Sequence, residues 1–136
     1  MRNLTTALMT YFNKTEGGVH NSFWISITGK LRKEKAEQTD TLPYAVYHII
    51  SDVPSWTFSS DFEDVRIQFD LYSQLESSSQ IEDMYTNLKA LFDWCSLTVT
   101  GSTHLYMRRE SARLTKDPED SVWHYSVDYT TKLELN

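Results

Sequence analysis

Residues 62–73, FEDVRIQFDLYS, carry the pattern that most restricts the fold: Val65, Ile67, Phe69 and Leu71 alternate with Asp64, Arg66, Gln68 and Asp70. A period of two places the apolar set on one face of an extended strand and the polar set on the other. A helix would scatter the same residues around its circumference. The chain must therefore build a sheet with an apolar layer against one side. In SSQIEDMYTNLKALFD, Ile81, Met84, Tyr85, Leu88, Leu91 and Phe92, with Cys95 beyond, recur at spacings of three and four, and Ser79 with Glu82 reads as a capping box. This predicts an amphipathic helix over 79–94, packed on the Val65/Ile67/Phe69/Leu71 face with Leu88 fully buried.

Other segments supply further strands. In LPYAVYHIISDVPSWTF, residues 42–58, both alternating sets of the first half are apolar, as in a central strand covered on both faces, and Val53-Pro54-Ser55 is read as its end. STHLYMRRESARL (102–114) and VWHYSVDYTTKLEL (122–135) flank the turn TKDPEDS and read as a long hairpin, with Trp123, Tyr125, Val127, Tyr129 and Leu133 on one side. Pairing Leu114 with Trp123 would set Arg109 opposite Asp128 and Arg113 opposite His124. The apolar parity switches between Leu105/Met107 and Ala112/Leu114, which predicts an irregularity between Met107 and Ser111. Toward the N-terminus, Leu4, Leu8, Tyr11 and Phe12 suit a short helix stopped by Gly17-Gly18. SFWISI (22–27), behind Asn21 as N-cap, suits a short helix better than a strand, and residues 28–41 form a connection with room for one short strand. The fold class expected is α+β: a single domain, residues 1–136, with a mainly antiparallel sheet of about four strands, a long amphipathic helix on one face and short N-terminal helices.

Composition narrows the function. The 136 residues are 40% hydrophobic with only 4 Gly and 3 Pro, as in a folded globular chain of one domain. No apolar run reaches the roughly 18 residues needed to span a bilayer. The start, MRNLTTALMTYFNK, has no apolar leader core, so the chain is expected to be made and kept in a cytoplasm, without a membrane partner. The net charge of −6 argues against a dedicated nucleic-acid binder. KLRKEKAEQTD (30–40) is the local exception, opening basic at Lys30, Arg32, Lys33 and Lys35 and closing acidic.

Nothing in the sequence assembles a reaction centre. His20, His48, His104 and His124 sit in different segments without metal-ligand spacing, and the lone Cys95 falls on the apolar side of a helix end. No phosphate loop, dinucleotide loop or nucleophile elbow is present, and the carboxylate groups Asp61/Glu63/Asp64 and Glu119/Asp120 fall at turns. No catalytic residue, metal or cofactor is expected.

The ordered segments 42–58, 62–73, the 78–93 helix, LTVTGSTHLYMRRESARL and the closing strand together resemble the tail-completion proteins of long-tailed bacteriophages, also called tail terminators or tail-to-head joining proteins. The resemblance covers about residues 42–135 and is less distinct over 1–41. It implies a non-enzymatic virion subunit, assembled in the host cytoplasm, that forms a ring, generally a hexamer, at the head-proximal end of the tail. Its partners would be copies of itself, the tail tube protein and a head-completion or connector protein, with DNA passing through without being held. Candidate interface residues are Arg32, Lys33, Lys35, Trp56, Phe58 and Arg109, with the basic stretch set against one of the acidic turns. The competing reading is a carbohydrate- or small-ligand-binding module that stacks its ligand on Trp56, Trp123 and Tyr125.

Overall fold

The computed structural model describes residues 2–74, 78–117 and 121–136. Helix α1 (Arg2–Asn13) turns its Leu4, Ala7, Leu8 and Phe12 inward. A two-strand hairpin follows, β1 (Thr15–Glu16) and β2 (Val19–His20), turning on Gly17 and Gly18 at φ 60° and 81°. Two successive left-handed residues are what a tight hairpin turn demands and what glycine supplies without strain. Helix α2 (Ser22–Ile27) is capped as its sequence predicts, the Asn21 side chain accepting from the Trp24 N–H at 2.8 Å.

The principal sheet contains β3 (Leu31–Lys33), β4 (Tyr44–Trp56), β5 (Asp61–Ser73), β6 (Ser102–Asp117) and β7 (Val122–Leu135), in the order β3-β4-β5-β7-β6. Helix α3 (Ser79–Phe92) connects β5 to β6. The expected sheet is corrected on two points. It has five strands, and it is mixed, because β3 lies parallel to β4. About half the chain is strand and a quarter helix. Nor is there a long amphipathic helix over one face: α3 has 14 residues, against 12 in α1. At about 1.5 Å per residue α3 spans roughly 21 Å, half the length of a 13-residue strand. The cover is shared for that reason, with α1 and α2 joining α3 over the buried face. The helix starts at Ser79, which puts Ser78 and not Ser79 at the N-cap position, and Ser78 makes no side-chain cap bond.

Strand β5 behaves as its alternation requires. Val65, Ile67, Phe69 and Leu71 are fully buried, as are Ile81, Met84, Leu88 and Phe92 of α3 above them. The opposite sheet face carries no helix among the described residues, and it is mostly polar, with Val46 and the Tyr44–Tyr72 pair as its apolar part. Even there Asp70 is buried, held by His48 Nε2 at 3.1 Å and His124 Nε2 at 2.8 Å from the flanking strands.

Strand β4 departs from expectation. Its first half is buried on both faces, Ala45 and Tyr47 toward the core and Val46 on the other side, but the cover does not continue past Ile49, and the strand runs through Pro54 to Trp56 instead of ending at 53–55. A register shift between Ile49 and Ser51 leaves Ile50 as an extra residue, half exposed, which accounts for the unbroken apolar run. Pro54 is tolerated because beyond Tyr47 the strand has no β3 partner.

In the β6–β7 hairpin the expected irregularity is present, a shift between Arg109 and Ser111 that leaves Glu110 extra, and a second follows from His104 to Tyr106. The expected register is two residues out at Leu114 and Arg113 and one residue out at Arg109, the extra Glu110 making the difference. Leu114 pairs with Tyr125, Arg109 with Tyr129 and Arg113 with Ser126, since Thr115, Lys116 and Asp117 remain strand instead of turn. Glu119 and Asp120 lie outside the described residues.

His104 ties three elements together. Its Nδ1 accepts the Leu97 N–H at 3.1 Å, so the proton sits on Nε2 and is donated to Thr131 Oγ1 at 2.7 Å, which in turn donates to the Tyr106 carbonyl at 2.8 Å. Burial disfavours the charged ring and lowers its pKa below the ordinary imidazole value. The folded state then binds fewer protons than the unfolded chain once pH drops below that ordinary value. This stabilisation is complete above it and is lost as pH falls toward the folded value. Urea midpoints measured from pH 7.5 to 5 should therefore fall more steeply for the wild type than for His104→Gln. In the core, Leu88→Ala should cost about 2–5 kcal/mol and Phe92→Ala about 3–5 kcal/mol, read from the same unfolding curves.

Candidate assembly surfaces

Of the four histidines, three are hydrogen-bonded within the fold, while His20 has its Nδ1 buried without a hydrogen-bond partner. His20 stacks on Trp24 at 3.7 Å, His48 and His124 are bonded to Asp70, and His104 serves the network above. Cys95 is buried with its Sγ 3.7 Å from Met107 Sδ, and burial pushes its thiol up to about 12. Among the described residues no cluster of His, Cys, Asp or Glu is arranged to hold a metal ion. Cys95 should accordingly resist an aromatic disulfide reagent at pH 8 and react only as the protein unfolds in urea. Release of the chromophore in native buffer within minutes would contradict this burial.

The basic stretch divides into two kinds of residue. Arg32 is tied down, its Nε donating to Asp40 Oδ2 at 3.1 Å and its Nη2 to Oδ1 at 3.0 Å, and the guanidinium holds the Asp40 carboxyl below the usual carboxylate range. Lys33 and Lys35 are exposed, at and just beyond the end of the β3 edge strand. Arg109 turns to the helical side of the sheet. Its Nη2 lies 3.2 Å from Asp93 Oδ2, its Nη1 donates to the Tyr85 hydroxyl, and Asp93 also accepts from the buried Tyr129 hydroxyl at 2.5 Å. The partner expected for Arg109, Asp128, instead takes a bond from Ser111 at 3.2 Å. The extra Glu110 makes the difference, because after it every side chain of β6 changes face.

Trp56 and Phe58 are the exposed aromatics of the β4–β5 hairpin. Its turn is closed by the Thr57 N–H donating to the Ser60 carbonyl at 2.9 Å, with Trp56 69% exposed and Phe58 wholly so. Ile50 and Val53 of the same strand are also exposed, Val53 on the sheet face opposite to Trp56. A stacking row of Trp56, Trp123 and Tyr125 does not exist. Trp56 pairs with Asp61 and Trp123 with Ser73, at opposite ends of β5 and thus about 40 Å apart. Tyr125 is itself stacked on Tyr85 at 4.2 Å.

A second exposed aromatic group escaped the sequence reading, which placed Trp94 inside the helix. The helix stops at Phe92, and Trp94 stands 68% exposed at φ 57°, its N–H donating to the Met107 carbonyl at 2.7 Å. Tyr106 lies beside it, ring centroids 6.1 Å apart, and the extra residue Leu105 is exposed next to both. The available signal was the phase: a helix that points Leu91, Phe92 and Cys95 inward leaves Trp94 outside.

The molecule is thus a small sheet-rich domain with exposed aromatic side chains on the β4–β5 hairpin and beside β6. The profile of the tail completion protein gp17 family matches residues 26–134, and the chain belongs to that family. It is a structural protein of the phage virion, located in the tail, and the family is one of virion components rather than enzymes. No curated protein matches the chain. Among solved structures, a chain from the virion of a native gene transfer agent particle superposes with a TM-score of 0.79 at 5% identity, covering 96% of this chain and 94% of its own. A further solved chain gives a TM-score of 0.57 at 12% identity, covering 99% and 94% respectively. At these identities the likeness is one of fold. The match reaches N-terminal of the resemblance read from the sequence, taking in the last turn of α2, β3 and the connection to β4.

Proposed function

We propose that the chain assembles head to tail into a ring, with six copies as the expected number, at the head-proximal end of the tail, where it ends the tail tube and joins tail to head. The observation that carries this is the pair Trp56 and Phe58, held in solvent on a well-paired hairpin whose fold makes no use of them. Aromatic side chains of this kind are the usual anchors of protein interfaces. A ring of identical subunits needs two different complementary patches on one chain. Lys33 and Lys35, exposed at the β3 edge, are offered to a neighbour or to the tube or head partner, away from the lumen.

A net charge of −6 suits a conduit through which DNA moves, since a strongly basic lining would retain a duplex bearing one negative charge per ~1.7 Å. Size-exclusion chromatography with light scattering should find a species of about six copies at high protein concentration. Reversing the charges of Lys33 and Lys35 should weaken ring formation or tail joining without altering the unfolding midpoint. Duplex DNA at physiological salt should show no measurable binding, and a tight, salt-sensitive complex would count against a passive conduit.

A further inference from the structure

On the helical side of the sheet the cover runs out near the first turn of α1. Trp56, Asp61 and Leu135 form one row across β4, β5 and β7, Pro54, Glu63 and Leu133 form the next, and Asp52 follows on β4. Each row is two residues from the last, so all these side chains share one face, the face of buried Val65. Trp56, Asp52 and Asp61 are exposed and Leu135 is 40% exposed. Glu63 is half-buried and, with Leu4, Val99, Leu133 and Leu135, lines a cleft of about 360 Å³ beside the start of α1.

The three carboxylates of this face lack a cation. Among the described residues no Lys, Arg or His forms an ion pair with Asp52, Asp61 or Glu63, Arg2 on the rim of the cleft included. Other carboxylates of the sheet are met by a cation, an imidazole or a hydroxyl: Asp64 by Lys132, Asp70 by two histidines, Glu110 by Arg108, Asp128 by Ser111 and Glu134 by Ser60. Burial, with the Asp52 carboxylate beside it, pushes the Glu63 carboxyl above its ordinary value, the response of an acid that meets a like charge where a cation would fit.

The chemistry of the occupant follows from this mixture. Among the described residues no acidic group is arranged to hold a metal ion. Carboxylates alternating with apolar surface suit a long cationic side chain instead, its stem along Leu135 and its head on the carboxylates, with the exposed Trp56 ring as a further face for a cation. The chain's own exposed lysines, Lys33 and Lys35, lie on the same β3–β4 side of the sheet, so their use by a second copy would join two copies about a twofold axis and not head to tail.

We propose that the Asp52/Trp56/Asp61/Glu63 face docks a lysine- or arginine-bearing segment of another protein of the virion. This holds whether or not the copies close into a ring.

The test places substitutions in the viral genome. Asp52→Lys with Asp61→Lys reverses two exposed charges of the face, Trp56→Ala removes its aromatic, and Asp83→Lys reverses an exposed charge on α3 as the control. Unchanged urea midpoints of the purified proteins establish that each variant folds. The double reversal and Trp56→Ala should each lower the yield of infectious particles roughly ten-fold or more, the scale of a lost interface anchor, and Asp83→Lys should not. In purified wild-type virions, a zero-length carbodiimide should couple Asp52, Asp61 or Glu63 to a lysine of a different protein, identified by mass spectrometry. A loss of yield without such a cross-link assigns the head group to arginine, which the reagent does not couple. A double reversal that yields particles like the wild type would overturn the proposal, as would a loss shared equally by Asp83→Lys. Cross-links from this face to Lys33 or Lys35 of another copy would overturn it in favour of a contact between copies.

Discussion

Phe92 is the point at which the layers of the molecule meet. Its ring lies 4.9 Å from Phe69 of β5, 6.4 Å from Phe23 of α2, 6.4 Å from Tyr129 of β7 and 5.9 Å from Tyr11 of α1. One side chain thus touches both N-terminal helices and two central strands. Because α3 is too short to cover the sheet alone, the fold depends on α1 and α2 being drawn to the same face. The aromatic group around Phe92 does this, with Phe12 packed on Phe23 at 5.8 Å to complete it. Edge-on and offset contacts of this kind each add about 0.5–1.5 kcal/mol beyond the area they bury. The Tyr11 hydroxyl, bonded to the Leu91 carbonyl at 2.9 Å, fixes α1 against the last turn of α3.

With the helices gathered on one face, the other face and both edges are left to solvent and to partners. The strands are placed by the core, and the exposed groups ride on them. Trp56 and Phe58 owe their position to the pairing of β4 with β5, while Trp94 owes its position to a backbone bond with β6 and to Asp93 beside it, which is gripped by Arg109 and Tyr129. Arg109 therefore acts mainly within the subunit, fastening the turn after α3 to the sheet edge. Partly exposed ion pairs contribute modestly to stability, and here the geometry they impose on the turn matters more.

How much of this was legible depended on phase. Strand β5 has no bulge, and its alternation translated directly into burial. Strand β6 has two, and the switch in apolar parity disclosed the one at Glu110, since the core-facing Met107 and Leu114 flank it with opposite phase. The bulge at Ile50 was hidden because Ile49 and Ile50 are equally apolar, so the extra residue read as a continuation of the doubly buried run that Ala45, Val46 and Tyr47 begin. Strand β3 is three residues in a charged segment and carries no periodicity, and its parallel pairing is set by tertiary contacts that no local pattern reports. The assembly surfaces were half legible. Exposed aromatics at a turn were readable at Trp56 and Phe58, whereas Trp94 was absorbed into a helix that ends two residues earlier.

Pro54 has a bearing on life before assembly. A virion subunit accumulates in a crowded cell, and a long strand edge with regularly spaced donors and acceptors is a template for runaway sheet growth. Pro54 contributes no N–H to the unpaired stretch of β4, and the extra residue Ile50 breaks its rhythm a few positions earlier, while Leu105 and Glu110 do the same on β6. Irregularities that look like flaws in the strands interrupt the edges along which a further strand would otherwise pair.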